Sequence, residues 1–151
     1  MVDDSFRSGQ IAVRLTSGPI ITPQVFPPEE IANAGAVVVF RGLVRPWEGV
    51  ASSDTQSNPD RQRITGLEYQ VYEPMTSREL TMLAQAHHAK HGVSAIDVDH
   101  SYGFVAAGEC SFVLQVAAQH REEAIRLMDE FIFEMKQHVP IWKVPVFAGQ
   151  R

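Results

Sequence analysis

Helix and strand patterns follow one another irregularly along this chain, and their order limits the fold more than any other feature. The clearest pattern is a helix from about Arg121 to Gln137, which carries a single apolar stripe at helical spacing. Pro140 disfavours helical backbone at the residue before it, so this helix should end near His138. Its stripe consists of Ala124, Leu127, Met128, Phe131 and Met135.

A second long helix is predicted upstream. Thr76 to Glu79 has the form of a capping box, and Met75 and Leu80 occupy the positions of a hydrophobic staple around it. Gly92 is a suitable carboxyl-terminal stop. A shorter helix is predicted to open at residues 27–30, where prolines and acids favour a helix amino terminus.

Strand patterns occupy most of the remaining chain. Because strands and helices do not alternate as strict βαβ units, the sequence predicts an α+β fold: one domain over residues 1–151, with a mostly antiparallel sheet and two long helices. The predicted strands are residues 10–22, Ala36–Val44, Ile64–Tyr72, Ser94–His100 and Cys110–Ala117.

Residues 46–63 differ in character from the rest. Gly, Ser, Asp, Asn and Pro dominate this stretch and no periodicity is present. Loops of this length are uncommon unless they are functional or disordered. We therefore predict a mobile loop, placed to cover any site beside Arg45.

Composition narrows the class of protein. The chain has 151 residues, 44% hydrophobic and 21% charged, with a net charge of −5. This is typical of a soluble globular domain and argues against binding to nucleic acid or anionic membranes. With one cysteine, no HExxH or similar histidine spacing, no secretory h-region and no apolar run of about 20 residues, we expect no metal, no cofactor and a cytoplasmic location.

Three short segments hold basic residues that could do chemistry. Arg45 follows the strongest strand, His120 and Arg121 stand where a strand turns into a helix, and Lys136 and Lys143 flank Pro140. Trp142 is expected to bury its ring beside Lys143. Each group alone is also typical of a solvated surface. Together they suggest an anion site with one or two reactive lysines, because crowding by cations and desolvation lower a lysine pKa.

Several segments together resemble the large, catalytic subunit of molybdopterin synthase, the MoaE family. No single segment decides the match, but their order and spacing are specific from about Gly35 to Lys143. The matching segments are Ala36–Arg45, Leu67–Leu80, His100–Glu109, Ala118–Arg121 and Lys136–Lys143.

The resemblance implies a hammerhead-type α+β fold, a homodimer of large subunits, and a small ubiquitin-like partner on each, giving a heterotetramer. The partner's Gly-Gly tail ends in a thiocarboxylate, whose sulfur passes to cyclic pyranopterin monophosphate (precursor Z) to form the dithiolene of molybdopterin. By similarity Lys136 and Lys143 are catalytic, and the substrate is bound by Phe40, Arg45, His120 and Arg121.

The chain departs from the family pattern in three places: the long stretch after Trp47, Ser101 where arginine is common, and a short tail after Lys143. A diverged binding module that keeps only the small-subunit surface is the alternative hypothesis, although such a module would not need five basic positions. A phosphoester hydrolase using His120 is a third, but it lacks a metal constellation or an activated nucleophile. Cys110 is expected to be a buried apolar residue without a role in sulfur transfer.

Overall fold

Two long helices pack on a mostly antiparallel sheet in the computed structural model, which describes residues 6–8, 10–21, 26–48 and 62–149. The helices are α1 (Met75–His91) and α2 (Arg121–His138), and a short 3-10 helix spans Pro28–Glu30. The strands are β1 (Phe6–Ser8), β2 (Ile11–Ser17), β3 (Ala36–Leu43), β4 (Trp47–Glu48), β5 (Gln62–Val71), β6 (Ala95–Ala106), β7 (Cys110–Ala118) and β8 (Ile141–Phe147).

The long strand β6 organises the sheet. Its first half lies between β2 and β7, and its second half pairs with β5. β7 continues to β3, and β5 continues to β8 and β4. Of the ladders in the described ranges, only β2–β6 is parallel. The predicted α+β class with a mostly antiparallel sheet is therefore confirmed.

The main core lies between the two helices and the sheet. Leu80 of α1, Leu127 and Phe131 of α2, and Ile96 and Leu114 of the sheet are completely buried. Each such side chain stabilises the fold by about 1.5–3 kcal/mol through burial. The apolar stripe predicted for α2 is the face that supplies this core.

The ends of the helices agree with the sequence prediction except at the start of α1. Gly92 closes α1 in the left-handed conformation (φ 64°), and Val139 leaves α2 in extended backbone. The predicted capping box is wrong, because α1 begins two residues earlier, at Met75, and its N-cap residue is Pro74. The Ser77 N–H donates to the Glu73 carboxylate instead (2.8 Å). The Thr76 hydroxyl instead accepts the Tyr72 N–H (2.9 Å) and donates to the Pro140 carbonyl (2.8 Å). Met75 is exposed and forms no staple.

Strand β8 was not predicted, and it changes the surroundings of the last basic residue. It pairs with β5, so Lys143 stands opposite Tyr69 in the ladder. Successive side chains of a strand point to opposite faces. Trp142 therefore points away from the face of Ile141 and Lys143 and is 60% exposed, so its predicted burial is wrong.

The predicted mobile loop lies mostly outside the described residues, since only its two ends are placed. Trp47 and Glu48 pair in antiparallel fashion with Arg63 and Gln62, so the two ends of the predicted loop lie side by side. None of the helices in the described ranges is long and apolar enough to cross a membrane.

Candidate active site

A cleft of about 550 Å³ opens between the end of β3, strands β5 and β8, and the last turn of α2. Four basic side chains line it: Arg41, Arg45, Lys136 and Lys143. No aspartate or glutamate is among the described residues that line the cleft. An acidic chain has thus gathered a local excess of positive charge, as binding of an anion requires.

The basic residues are positioned by regular elements or by hydrogen-bonded backbone beside them. Lys136 stands in the last turn of α2, where a cation suits the helix dipole. Lys143 is fixed by the β5–β8 ladder. Arg45 follows Val44, which is buried and bonded through its N–H to the Glu109 carbonyl (2.9 Å) and through its carbonyl to the Gly108 N–H (2.7 Å). Side chains on such supports keep their positions better than side chains on loops.

A buried histidine forms part of the floor. His100 Nδ1 lies 2.8 Å from the Ser101 carbonyl, which can only accept, so Nδ1 carries the proton and Nε2 is an acceptor. Burial, together with the positive charge of Lys143, lowers the pKa of His100 to about 4, although the hydrogen bond to Ser101 opposes both. The imidazole is therefore neutral at neutral pH.

Aromatic rings continue from His100 along the cleft wall. Tyr69 and Phe112 both pack against the imidazole, with ring centroids 5.2 Å and 5.6 Å from it, and the Phe40 centroid lies 5.9 Å from that of Phe112. The Tyr69 hydroxyl is 2.8 Å from the Ser111 hydroxyl. The wall is thus apolar and stiff, with a few polar atoms that could orient a ring-shaped ligand.

Comparison with known proteins places this architecture. The family model described as "MoaE protein" matches residues 21–138. The chain belongs to the MoaE family.

Curated relatives and solved structures agree with this assignment. The chain is 30% identical to the molybdopterin synthase catalytic subunit of Bacillus subtilis, over 88% of this chain and 78% of the relative. It is 32% identical to the subunit of that name from Coccidioides immitis, over 93% of this chain but 66% of the relative. It spans only 52% of the Neurospora crassa relative.

Two solved structures share the fold. Molybdopterin synthase from Staphylococcus aureus superposes with a TM-score of 0.69, at 24% identity and over 89% of this chain and 90% of that one. A complex of subunits 1 and 2 of the molybdopterin-converting factor from Helicobacter pylori superposes with a TM-score of 0.59. Its identity is 25%, over 92% of this chain and 91% of that one.

Within this MoaE-family chain, two predicted substrate residues stand apart from the cleft. His120 and Arg121 line a separate depression of about 760 Å³ at the amino terminus of α2, shared with Glu122, Arg126 and Asp129. The His120 N–H donates to the Glu123 carboxylate (3.3 Å). Arg121 and Lys136 are fifteen positions apart, about 22 Å along a helix. One copy of the chain therefore groups Phe40, Arg45, Lys136 and Lys143 but not His120 or Arg121.

Gly35 restricts the position of the turn that carries His120 and Arg121. A side chain on Gly35 would place its Cβ 2.3 Å from the Gln119 carbonyl oxygen, which no real contact allows. The Gly35 N–H donates to the Ala118 carbonyl (2.9 Å). The start of β3 thus presses directly on the turn that delivers His120 to the helix.

Several cleft residues were not singled out from the sequence. Tyr69, Ser111 and Phe112 reach the cleft through pairing between distant strands, and no local spacing marks them. Arg41, Tyr69 and His100 lie inside segments that carry the family resemblance, which was the one available signal.

Proposed function

We propose that this chain is the catalytic subunit of a cytoplasmic molybdopterin synthase. In this proposal it is a sulfurtransferase: sulfur moves from the thiocarboxylated tail of a small ubiquitin-like subunit to cyclic pyranopterin monophosphate, and the dithiolene forms. The observation that carries the proposal is the cleft with Arg41, Arg45, Lys136 and Lys143 and no lining carboxylate. The names of the curated relatives and the Helicobacter pylori complex of two subunits support it.

The charge of the cleft suits both reactants. A thiocarboxylate and a cyclic phosphate are both anions, and arginine binds such groups through paired hydrogen bonds. The cleft volume is within the range of about 300–1,000 Å³ that is typical of small-molecule sites. The aromatic wall from Phe40 to His100 offers a surface for the pterin rings.

The lysines take the chemical roles. Lys136 is placed to act as a base or as a covalent partner of the carbonyl at the end of the tail. Lys143 is placed to stabilise negative charge that develops in the transition state. His100 Nε2 adds a neutral acceptor beside Lys143, so it can orient the ammonium without cancelling its charge.

His120 and Arg121 require a second copy of the chain in this scheme. Because they lie about 22 Å along α2 from Lys136, they cannot share a small substrate with it in one copy. In a symmetric homodimer, each copy places the same surface against the other. We propose that the α2 amino terminus of one copy supplies phosphate contacts to the cleft of its partner.

Reconstitution tests the proposed function. The purified chain, a thiocarboxylated small subunit and cyclic pyranopterin monophosphate should together give the dithiolene product, and omission of the small subunit should abolish it. Lys136→Ala should remove product formation and change stability by about 0.5 kcal/mol or less, since an exposed lysine contributes little to folding. The matched control is Gln137→Ala, one residue further and outside the cleft lining.

Two results would contradict the proposal: near-normal turnover by a folded Lys136→Ala chain, or no product from the complete mixture. The second would favour a binding module that holds the small subunit without catalysis. Retention of four basic side chains around one cleft argues against such a module, because docking alone does not need them.

A further inference from the structure

We propose a transition-metal site, suited to Zn²⁺, between α1 and α2 and separate from the cleft. Its ligands are His87 and His91 of α1 and Glu130 of α2. One ligand atom from each lies within 4.8 Å of the other two. Among the described residues, these three form the cluster of histidine and acidic side chains that could hold a metal ion.

The geometry of the three side chains fits a small cation. His87 and His91 are four residues apart on one helix face, with rings nearly parallel (5°) and centroids 5.5 Å apart. Glu130 Oε2 lies 2.7 Å from His91 Nε2 and 3.9 Å from His87 Nδ1. Tetrahedral Zn²⁺ with bonds of about 2.0–2.1 Å separates its ligand atoms by roughly 3.3 Å, so small rotations complete the set.

His87 gives independent support. Its side chain is 3% exposed, and its Nδ1 is buried without a hydrogen-bond partner. Buried polar atoms are rarely left in this state, and an unrecorded ion is a recognised cause. The Nδ1 faces the carboxylate of Glu130, and a metal would occupy the space between these two groups.

A second carboxylate sets the tautomer that a ligand needs. Glu134 Oε2 lies 3.3 Å from His87 Nε2, one helical turn beyond Glu130. If Nε2 carries the proton and donates to Glu134, the lone pair of Nδ1 is free for the metal. Metal-bound histidines commonly donate their other N–H to a carboxylate in this manner.

Lys90 is the competitor for this site. Its Nζ is 2.9 Å from Glu130 Oε2, so without metal the carboxylate is contacted by both Lys90 and His91. Lys90 is 60% exposed and has room to swing away when a dication takes the oxygen. Removal of this lysine should therefore strengthen metal binding.

The ligand set suggests a role. Two imidazoles and one carboxylate are a set that zinc accepts, with a fourth position left for water or another group. The ligands join the end of α1 to the middle of α2. A bound ion would fasten the two helices together on a face of α2 away from the cleft.

The test uses the untagged 151-residue chain, freed of metal by a chelator and titrated with Zn²⁺ by calorimetry. Co²⁺ serves as a spectroscopic substitute, since tetrahedral Co²⁺ absorbs strongly in the visible range. We expect one ion per chain and a Tm that rises with Zn²⁺. His91→Ala and Glu130→Gln should each bind at least about tenfold more weakly, Glu134→Gln about tenfold more weakly, and Lys90→Ala more tightly.

Matched controls are His88→Gln on α1 and Glu122→Gln on α2, which change the same residue types outside the cluster and should keep wild-type affinity. His87 is left intact because its burial makes an unfolded variant a risk, and circular dichroism verifies the fold of the others. The proposal is overturned if the wild-type chain binds no stoichiometric Zn²⁺. It is equally overturned if His91→Ala and Glu130→Gln bind as tightly as the controls.

Discussion

Burial decides the protonation state of His100. Its imidazole is enclosed by Tyr69 and Phe112, and Lys143 faces it from β8. A charged imidazole there would repel the lysine and any bound proton donor. Because the ring stays neutral, the positive charge of the cleft comes from its arginines and lysines.

The pKa of His100 gives a pH dependence of stability. In the unfolded chain this histidine titrates near 6.5, and in the folded chain at about 4. Between these values the unfolded state binds the proton, so the free energy of unfolding should fall as pH drops from about 6.5 to about 4. Full protonation of His100 at low pH should therefore lower the free energy of unfolding by about 3 kcal/mol relative to its value above pH 6.5.

Urea unfolding between pH 4 and pH 8 measures this effect in the wild-type chain and in His100→Asn, whose amide can still donate to the Ser101 carbonyl. The variant should lose less stability than the wild type over the window, whatever its absolute stability. Parallel curves for the two proteins would mean that His100 is not held neutral by folding.

Cys110 should be dispensable for sulfur transfer. Its side chain is 3% exposed, packs with Ile20 and Val113, and directs its thiol to the Phe112 carbonyl (3.4 Å). Cys110→Ala should keep most of its activity in the reconstituted assay and lose about 1 kcal/mol of stability. Loss of dithiolene formation by the folded variant would make this thiol a participant.

At the scale of elements, Thr76 ties the start of α1 to the approach of β8. Its buried hydroxyl bridges the Tyr72 N–H and the carbonyl of Pro140, three residues before Lys143. Thr76→Val keeps the shape but leaves both partners unsatisfied, so we expect a loss of about 1–3 kcal/mol in chemical denaturation. Thr81→Val is the control, because Thr81 bonds only to the Ser77 carbonyl within its own helix. Equal losses in the two variants would show that the bridge adds nothing.

The elements that the sequence predicted well are those that local residues determine. The stripe of α2, the stop at Gly92 and the β-branched run of β3 each contain their own signal. Strand β8 does not, since Pro145 interrupts its pattern and its pairing partner β5 is about seventy residues earlier. The capping box failed for a similar reason: Thr76 has a partner at Pro140, and no local pattern shows that distant competitor.

At the scale of the whole molecule, the candidate site is a product of topology. Phe40, Arg45, Lys136 and Lys143 were identified from the sequence and do share a cleft, because β3, β8 and the end of α2 converge. The position of His120 and Arg121 relative to them depends on the length of α2 and, in the proposed dimer, on a second copy of the chain. Local residue spacing in the sequence reveals neither the distance along α2 nor the symmetry of a dimer.

Mixing two defective variants tests the shared site. If Arg121 acts across the dimer, Lys136→Ala and Arg121→Ala chains that exchange subunits form mixed dimers with one intact cleft each, giving about a quarter of wild-type activity. The assay is made at low substrate, where loss of a ground-state phosphate contact is most visible as a raised KM. The unmixed variants are the controls.

No recovery after verified subunit exchange would assign both residues to the same cleft of one copy. A shared site also requires a dimer, which light scattering should detect. A strictly monomeric chain cannot form such a site.

Gly35 shows how a position can resist substitution without touching a substrate. Any side chain there collides with the Gln119 carbonyl, and the strain is relieved most easily by moving the turn that carries His120. In a library of random variants selected for molybdopterin production, position 35 should tolerate as little variation as Lys136. An alignment alone would then mark Gly35 as catalytic, although its contribution is only that it has no side chain to collide with the Gln119 carbonyl.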